Sequence, residues 1–138
     1  MERRDVFEYI KMTYRVEPDY PFSKDYSETP VFRHRDTGKW FALCMDVRAD
    51  RLGYDSDSEW IDVITLKSEP LLIDGIVARE GFHRAYHMNK RQWLTVELGD
   101  KVPEKEIRNL IDLSFELTEK KRRNRKVGGQ ENEAGELQ

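Results

Sequence analysis

The segment Asp36-Thr37-Gly38-Lys39 constrains the fold most, because it lies between two runs with the composition of strands. Val31-Phe32-Arg33-His34-Arg35 precedes it and Trp40 to Val47 follows, so a polar, Gly-containing turn folds the chain back on itself as an antiparallel hairpin. In the second run, Phe41, Leu43, Met45 and Val47 share one face of a period-two pattern, while Trp40, Ala42 and Cys44 share the other. Apolar residues on both faces predict a central strand, at least partly covered on both sides.

The rest of the chain builds around this hairpin. Val6, Phe7, Ile10 and Tyr14 recur at helical spacing between about Arg4 and Tyr14, and Pro18 and Pro21 close that segment. Tyr20 to Thr29 is a polar loop, Arg48 to Glu59 a long exposed connection, and Trp60 to Lys67 a third strand rich in β-branched residues. Ser68, Glu69 and Pro70 open a short crossover helix with Leu72, Ile73, Ile76 and Val77 on its apolar side. Gly81 to Lys90 has little apolar period. Trp93 to Leu98 alternates as a strand, and Pro103 starts a helix in which Ile107, Leu110, Ile111 and Ser114 share a face. The expected class is α+β, with an antiparallel sheet and the N- and C-terminal helices packed on one of its faces.

A chain of 138 residues is enough for one domain with a sizeable core, expected here over residues 1–120. The single cysteine, Cys44, excludes an internal disulfide, and neither a signal pattern nor a membrane-length apolar run is present. A cytoplasmic protein without membrane attachment is expected. Charges are sorted along the chain: six acids against two arginines in segment 46–62, but Arg79, Arg84, Lys90 and Arg91 against Glu80 in segment 79–93. Segment 119–138 carries six bases and four acids without apolar period, leaving the preceding body at −5. Residues 121–138 are expected to be a disordered basic tail. A negative body disfavours indiscriminate attraction to polyanions, although a local basic patch could still bind one.

That local patch has a clear candidate. Arg84, Tyr86 and the stretch His87-Met88-Asn89-Lys90-Arg91-Gln92-Trp93 gather cations, an imidazole, an amide and an indole into a few residues, a mixture suited to a ligand rather than to a core. The order Tyr86 to Arg91, Trp93 and Val96, followed by Val102-Pro103, Ile107, Leu110, Ile111, Ser114 and Phe115, resembles the signature of the MmcQ/YjbR family of small bacterial proteins. Tyr20-Pro21-Phe22, Lys39 to Leu43 and Leu66-Lys67 fit the same family in the same order, so the resemblance covers about residues 1–120. It implies a CyaY/frataxin-like two-layer sandwich and a "double wing" arrangement that would bind DNA. A fold does not by itself confer that activity.

On the residues' own chemistry, Arg84, Lys90, Arg91 and Lys67 could contact phosphates, Asn89 a base edge or ligand amide, and Trp40, Tyr86 or Trp93 a planar ring. The plainer alternatives are that Trp93 is core, that His87 satisfies a turn, and that the cations on the turn are simply solvated. No catalytic constellation is complete, and no cofactor or metal is expected. His83 and His87 would share a face only on a helix, amid repelling cations, and Cys44 sits mid-strand as inert packing. Asp55, Asp57 and Glu59 could hold a hard cation only loosely, since no EF-hand glycine or closing carboxylate accompanies them. Three readings follow: a nucleic-acid-binding module, a small-molecule or protein-partner module using the 84–93 surface, and an enzyme of unknown class. A structure with no concavity near His87, Asn89, Lys90 and Trp93 counts against the pocket version of the second.

Overall fold

The computed structural model describes residues 1–22 and 28–120. Along the chain it has helix α1 (Arg3–Tyr14), strands β1 (Val31–Arg33), β2 (Trp40–Arg48) and β3 (Trp60–Lys67), helix α2 (Pro70–Ile76), strands β4 (Phe82–Arg84) and β5 (Trp93–Glu97), and helix α3 (Glu104–Thr118). The strands form one sheet in the order β1-β2-β3-β5-β4, with every neighbouring pair antiparallel. The α+β class is as expected from the sequence, and β2 is flanked on both sides. Helix α2 carries the chain from β3 to β4 past the intervening position that β5 later fills. That is the short crossover anticipated from Ser68-Glu69-Pro70.

Local chemistry explains where the helices begin and end. The Glu2 backbone N–H donates to Asp5 Oδ2 at 2.8 Å, satisfying a donor at the start of α1. Arg15 ends that helix in the left-handed region at φ 61°, its N–H donating to Lys11 O at 3.0 Å. Pro70 stands in the first turn of α2, where its missing N–H costs nothing. One face of the sheet is covered by helices: Val6 and Ile10 of α1, Ile73 of α2 and Ile107, Leu110 and Ile111 of α3 pack with Phe32, Cys44, Ile64, Leu94 and Val96.

The β1–β2 pairing departs from the simple alternation. Phe32 pairs with Ala42 but Arg33 with Trp40, so Phe41 is an extra residue, a β-bulge. As a result Phe41 packs into the helix-covered core with Ala42 and Cys44, while Trp40 joins Leu43 and Met45 on the opposite side. The period-two reading assigned Phe41 and Trp40 to the other faces, because it cannot see an inserted residue. Ser114 of α3 holds the bulge: its hydroxyl donates to Phe41 O at 2.5 Å and accepts from the Lys67 N–H at 2.9 Å.

Two further differences bear on the site. Phe82–Arg84 is a strand, although its three residues carry too little apolar period to announce one. It begins after Gly81, which adopts φ 93° with its missing Cβ position only 2.7 Å from Val102 Cγ2, so a side chain there would clash. The acidic connection is also more structured than expected. Residues Ala49–Leu52 form a 3₁₀ turn with Ala49 buried, and Tyr54 is tied to the sheet.

Candidate functional site

The sheet face opposite the helices is covered by connecting segments instead. The segment 85–92 folds back over the sheet, its Tyr86 N–H donating to Thr95 Oγ1 at 3.3 Å, and Thr95 is in turn hydrogen-bonded to Thr65 at 2.9 Å. Val31, Leu43, Ala85 and Trp93 form a second, smaller core there, with Phe22, Trp40, Met45 and Met88 packed around it. Because the cover consists of loops rather than a helix, it leaves space. A cavity of about 530 Å³ is walled by Trp40, Leu43, Met45 and Asp46 of β2, by Phe22 and Thr29 of the connection before β1, and by Tyr86, His87 and Met88 of the returning loop. A second concavity of about 260 Å³ shares Trp40 as a wall and is completed by Lys39, Lys67, Trp93, Leu117 and Thr118.

The loop is held in this shape by its own side chains. His87 takes the left-handed conformation at φ 67°, and its ring lies against Tyr86 with centroids 3.9 Å apart. Asn89 Oδ1 accepts the Arg91 N–H at 2.9 Å, while Asn89 O accepts from the Gln92 and Trp93 N–H groups at 3.1 and 3.0 Å. Lys90 Nζ donates to Ala85 O at 2.9 Å and so closes the loop's base. Arg84 pairs with Asp74 of α2 at 3.1 Å, and Arg91 is exposed. Of the residues singled out in the sequence, the structure brings together Tyr86 and His87 at one cavity, and Trp40 and Lys67 at the other. Arg84 points toward α2, and the polar groups of Asn89 and Lys90 are used within the loop.

Phe22 and Met88 were marked only by the family resemblance, and Met45 only as a strand residue. Trp93, weighed both as core and as a stacking ring, is buried at 9 % exposure, yet its ring carries the Lys67 ammonium 5.4 Å from its centroid. Lys39 was legible as a turn residue and through the family resemblance; it precedes Trp40 and lines the second concavity. Burial and then the charge of Lys39 both hold the Lys67 pKa below the usual lysine range.

A separate cluster lies on the same sheet face beneath the acidic connection. Glu97 is only 2 % exposed, and its carboxylate accepts from Tyr54 at 2.5 Å, binds His83 Nε2 at 2.7 Å and meets Lys101 Nζ at 3.2 Å. Burial pushes its pKa up, but the hydrogen bonds from Tyr54, His83 and Lys101 outweigh that and leave it below the usual glutamate range. Each group in this cluster is already partnered by another, which describes a clamp for the 48–59 connection rather than a group waiting for substrate. His83 lies on β4 and His87 in a loop, so the two imidazoles do not share a helix face. Burial pushes the Cys44 thiol up to about 12, which keeps it protonated. Among the described residues no helix is long and apolar enough to cross a membrane.

Known proteins share this architecture. A crystal structure of a Pseudomonas syringae protein is 41 % identical, with a TM-score of 0.81 over 86 % of this chain and 100 % of that one. A solution NMR structure from the same organism gives 40 % identity and a TM-score of 0.78, over 90 % of this chain and 98 % of that one. A Deinococcus radiodurans crystal structure shares the fold at 22 % identity and a TM-score of 0.62, over 83 % of this chain and 75 % of that one. The Bacillus subtilis protein YyaQ, described as uncharacterised, is 39 % identical over 118 residues, 86 % of this chain and 98 % of YyaQ. Residues 12–117 match the family model YjbR. With that match and these relatives, the chain belongs to the YjbR family.

Proposed function

We propose that this chain is a non-enzymatic binding module whose loop-covered sheet face takes a ring-bearing small molecule. The observation that carries this reading is the cavity of about 530 Å³ between the sheet and the loop, which falls in the size range of ligand sites and is lined chiefly by aromatic residues and methionines. Such walls suit a planar, largely apolar body, and methionines adapt to its outline. The expected frataxin-like sandwich and the expected cytoplasmic setting are compatible with this reading; the helix-strand-helix order supports the first.

Nucleic-acid binding is the second reading, favoured by one observation: Lys39, Lys67, Trp40 and Trp93 place cations beside indoles in one cleft, as single-strand binders do. Weighing against it, Arg84 is paired with Asp74, Lys90 is turned onto Ala85, and the body carries a net charge of −5 with residues 119–138 set aside.

Isothermal titration calorimetry with 2-naphthamide, a neutral planar probe, tests the first reading. The expected dissociation constant is about 1 mM or tighter, from the binding energy per atom of small ligands. Met88→Trp, which fills the cavity from the loop side, should abolish the heat. Absence of binding to the wild type, or equal binding to a folded Met88→Trp variant, would contradict the proposal.

A further inference from the structure

We infer that the cleft between Lys39 and Lys67 is an anion subsite, which takes the carboxylate or phosphate of a small molecule whose ring lies beside Trp40. The inference rests on the ligand-face reading above and names the class of ligand: an aromatic acid or aryl phosphate rather than a neutral ring compound.

The charge pattern of the molecule carries it. Among the described residues the other half-buried cations all have a carboxylate: Arg3 with Asp62, Arg33 with Asp19 and Arg48 with Asp50. Lys67 differs. Its ammonium meets only the neutral Gln92 Oε1, at 3.2 Å, and among the described residues no carboxylate lies within ion-pair distance of Lys67 or Lys39. None of the six residues that line the cleft is acidic.

Position reinforces charge. Lys67 is half-buried, with its ammonium over the Trp93 ring, so its charge is partly removed from water without a counter-charge. A second lysine nearby raises that cost, and an anion between the two would relieve it. Trp40 lines both this cleft and the larger cavity, whose walls are mostly aromatic and methionine side chains with Asp46 as their one carboxylate; a ring and an anionic group would thus lie on either side of one indole. Ser114 holds the two strands that deliver the lysines' neighbours, bonding the bulge carbonyl of Phe41 and the N–H of Lys67 itself. The cleft is therefore a fixed part of one end of the sheet, where β2 and β5 begin and β3 finishes.

The test is calorimetry on the full chain at low salt with three probes of one shape: 2-naphthoate, 2-naphthyl phosphate and 2-naphthamide. Both anions should bind about tenfold more tightly than the amide, the amount expected of a charge-assisted hydrogen bond. The phosphate-to-carboxylate ratio reports which anion the cleft prefers, and either order supports the subsite. Lys67→Gln and Lys39→Gln should each reduce that advantage, weakening the two anions more than the amide. Equal affinity for all three probes, or anion binding untouched by both lysine variants, overturns the anion subsite while the ring cavity stands. Failure of all three probes overturns the subsite and the ligand-face reading together. Salt-steep binding of oligothymidylate that is lost in Lys67→Gln, with no naphthoate binding, overturns the inference in favour of nucleic acid.

Discussion

At the scale of single residues, buried polar groups do more to shape this molecule than its exposed charges. Thr65, Thr95 and Glu97 occupy the alternate positions of their strands that would face water in a sheet covered on one side only, yet all three are buried. Glu97 shows the consequence most directly, because a carboxylate in that position must be fully hydrogen-bonded. Its folded pKa lies below the unfolded value, so its contribution to stability is present above about pH 4.3 and is lost as the pH falls through the lower folded value. Glu97→Gln should therefore cost about 2 kcal/mol near neutral pH and flatten the acid limb of the stability curve. Urea unfolding between pH 2 and 7 measures both, and an unchanged acid limb would show that Glu97 is not the group responsible. His34 adds a contribution of the same sign at higher pH. Burial lowers its pKa, so its share is present above about pH 6.5 and lost as the pH falls through the folded value.

At the scale of elements, the bulge at Phe41 and the loop 85–92 decide where the site lies, and neither is written plainly in the sequence. Alternation predicted the existence, type and antiparallel pairing of β2, but an inserted residue reverses which face Trp40 occupies. Ser114 was legible as a member of the apolar face of α3; its bonds to two different strands were not. Ser114→Ala leaves the Phe41 carbonyl and the Lys67 N–H without their buried partner and should destabilise the fold by about 2 kcal/mol, together with weakened ligand binding at the cleft. Thermal unfolding with a parallel naphthoate titration reads both effects. The loop makes a contrasting case. Lys90 and Arg91 look alike in sequence, but Lys90 closes the loop and Arg91 faces water. Amide exchange in residues 86–92 should accelerate in Lys90→Ala and stay unchanged in Arg91→Ala; equal exchange in the two would remove Lys90's role in shaping the cavity.

For the molecule as a whole, the α+β class, the terminal helices and the crossover were legible because periodic apolar patterns and proline or glycine punctuation persist over many residues. The family was legible from the block around His87 to Trp93, although that block proves to be largely a self-bonded loop. The site was only half legible. Trp40, Lys67, Tyr86, His87 and Trp93 were singled out by chemistry, whereas Phe22, Lys39, Met45 and Met88 acquire a shared surface only after five strands and a returning loop bring distant positions together. Pairing between distant strands and bulges is what a local pattern cannot encode. The basic tail expected at residues 121–138 lies outside the described residues. The three tryptophans supply the most direct test of a ligand on this face, since Trp40 and Trp93 border the two concavities while Trp60 begins β3, paired with Arg48 at the other end of the sheet. In an NMR titration with 2-naphthoate, the indole Nε1–H signals of Trp40 and Trp93 should shift and saturate together while that of Trp60 stays in place. A Trp60 shift without movement of Trp40, or no saturable shift at any of the three, would contradict a binding face centred on Trp40.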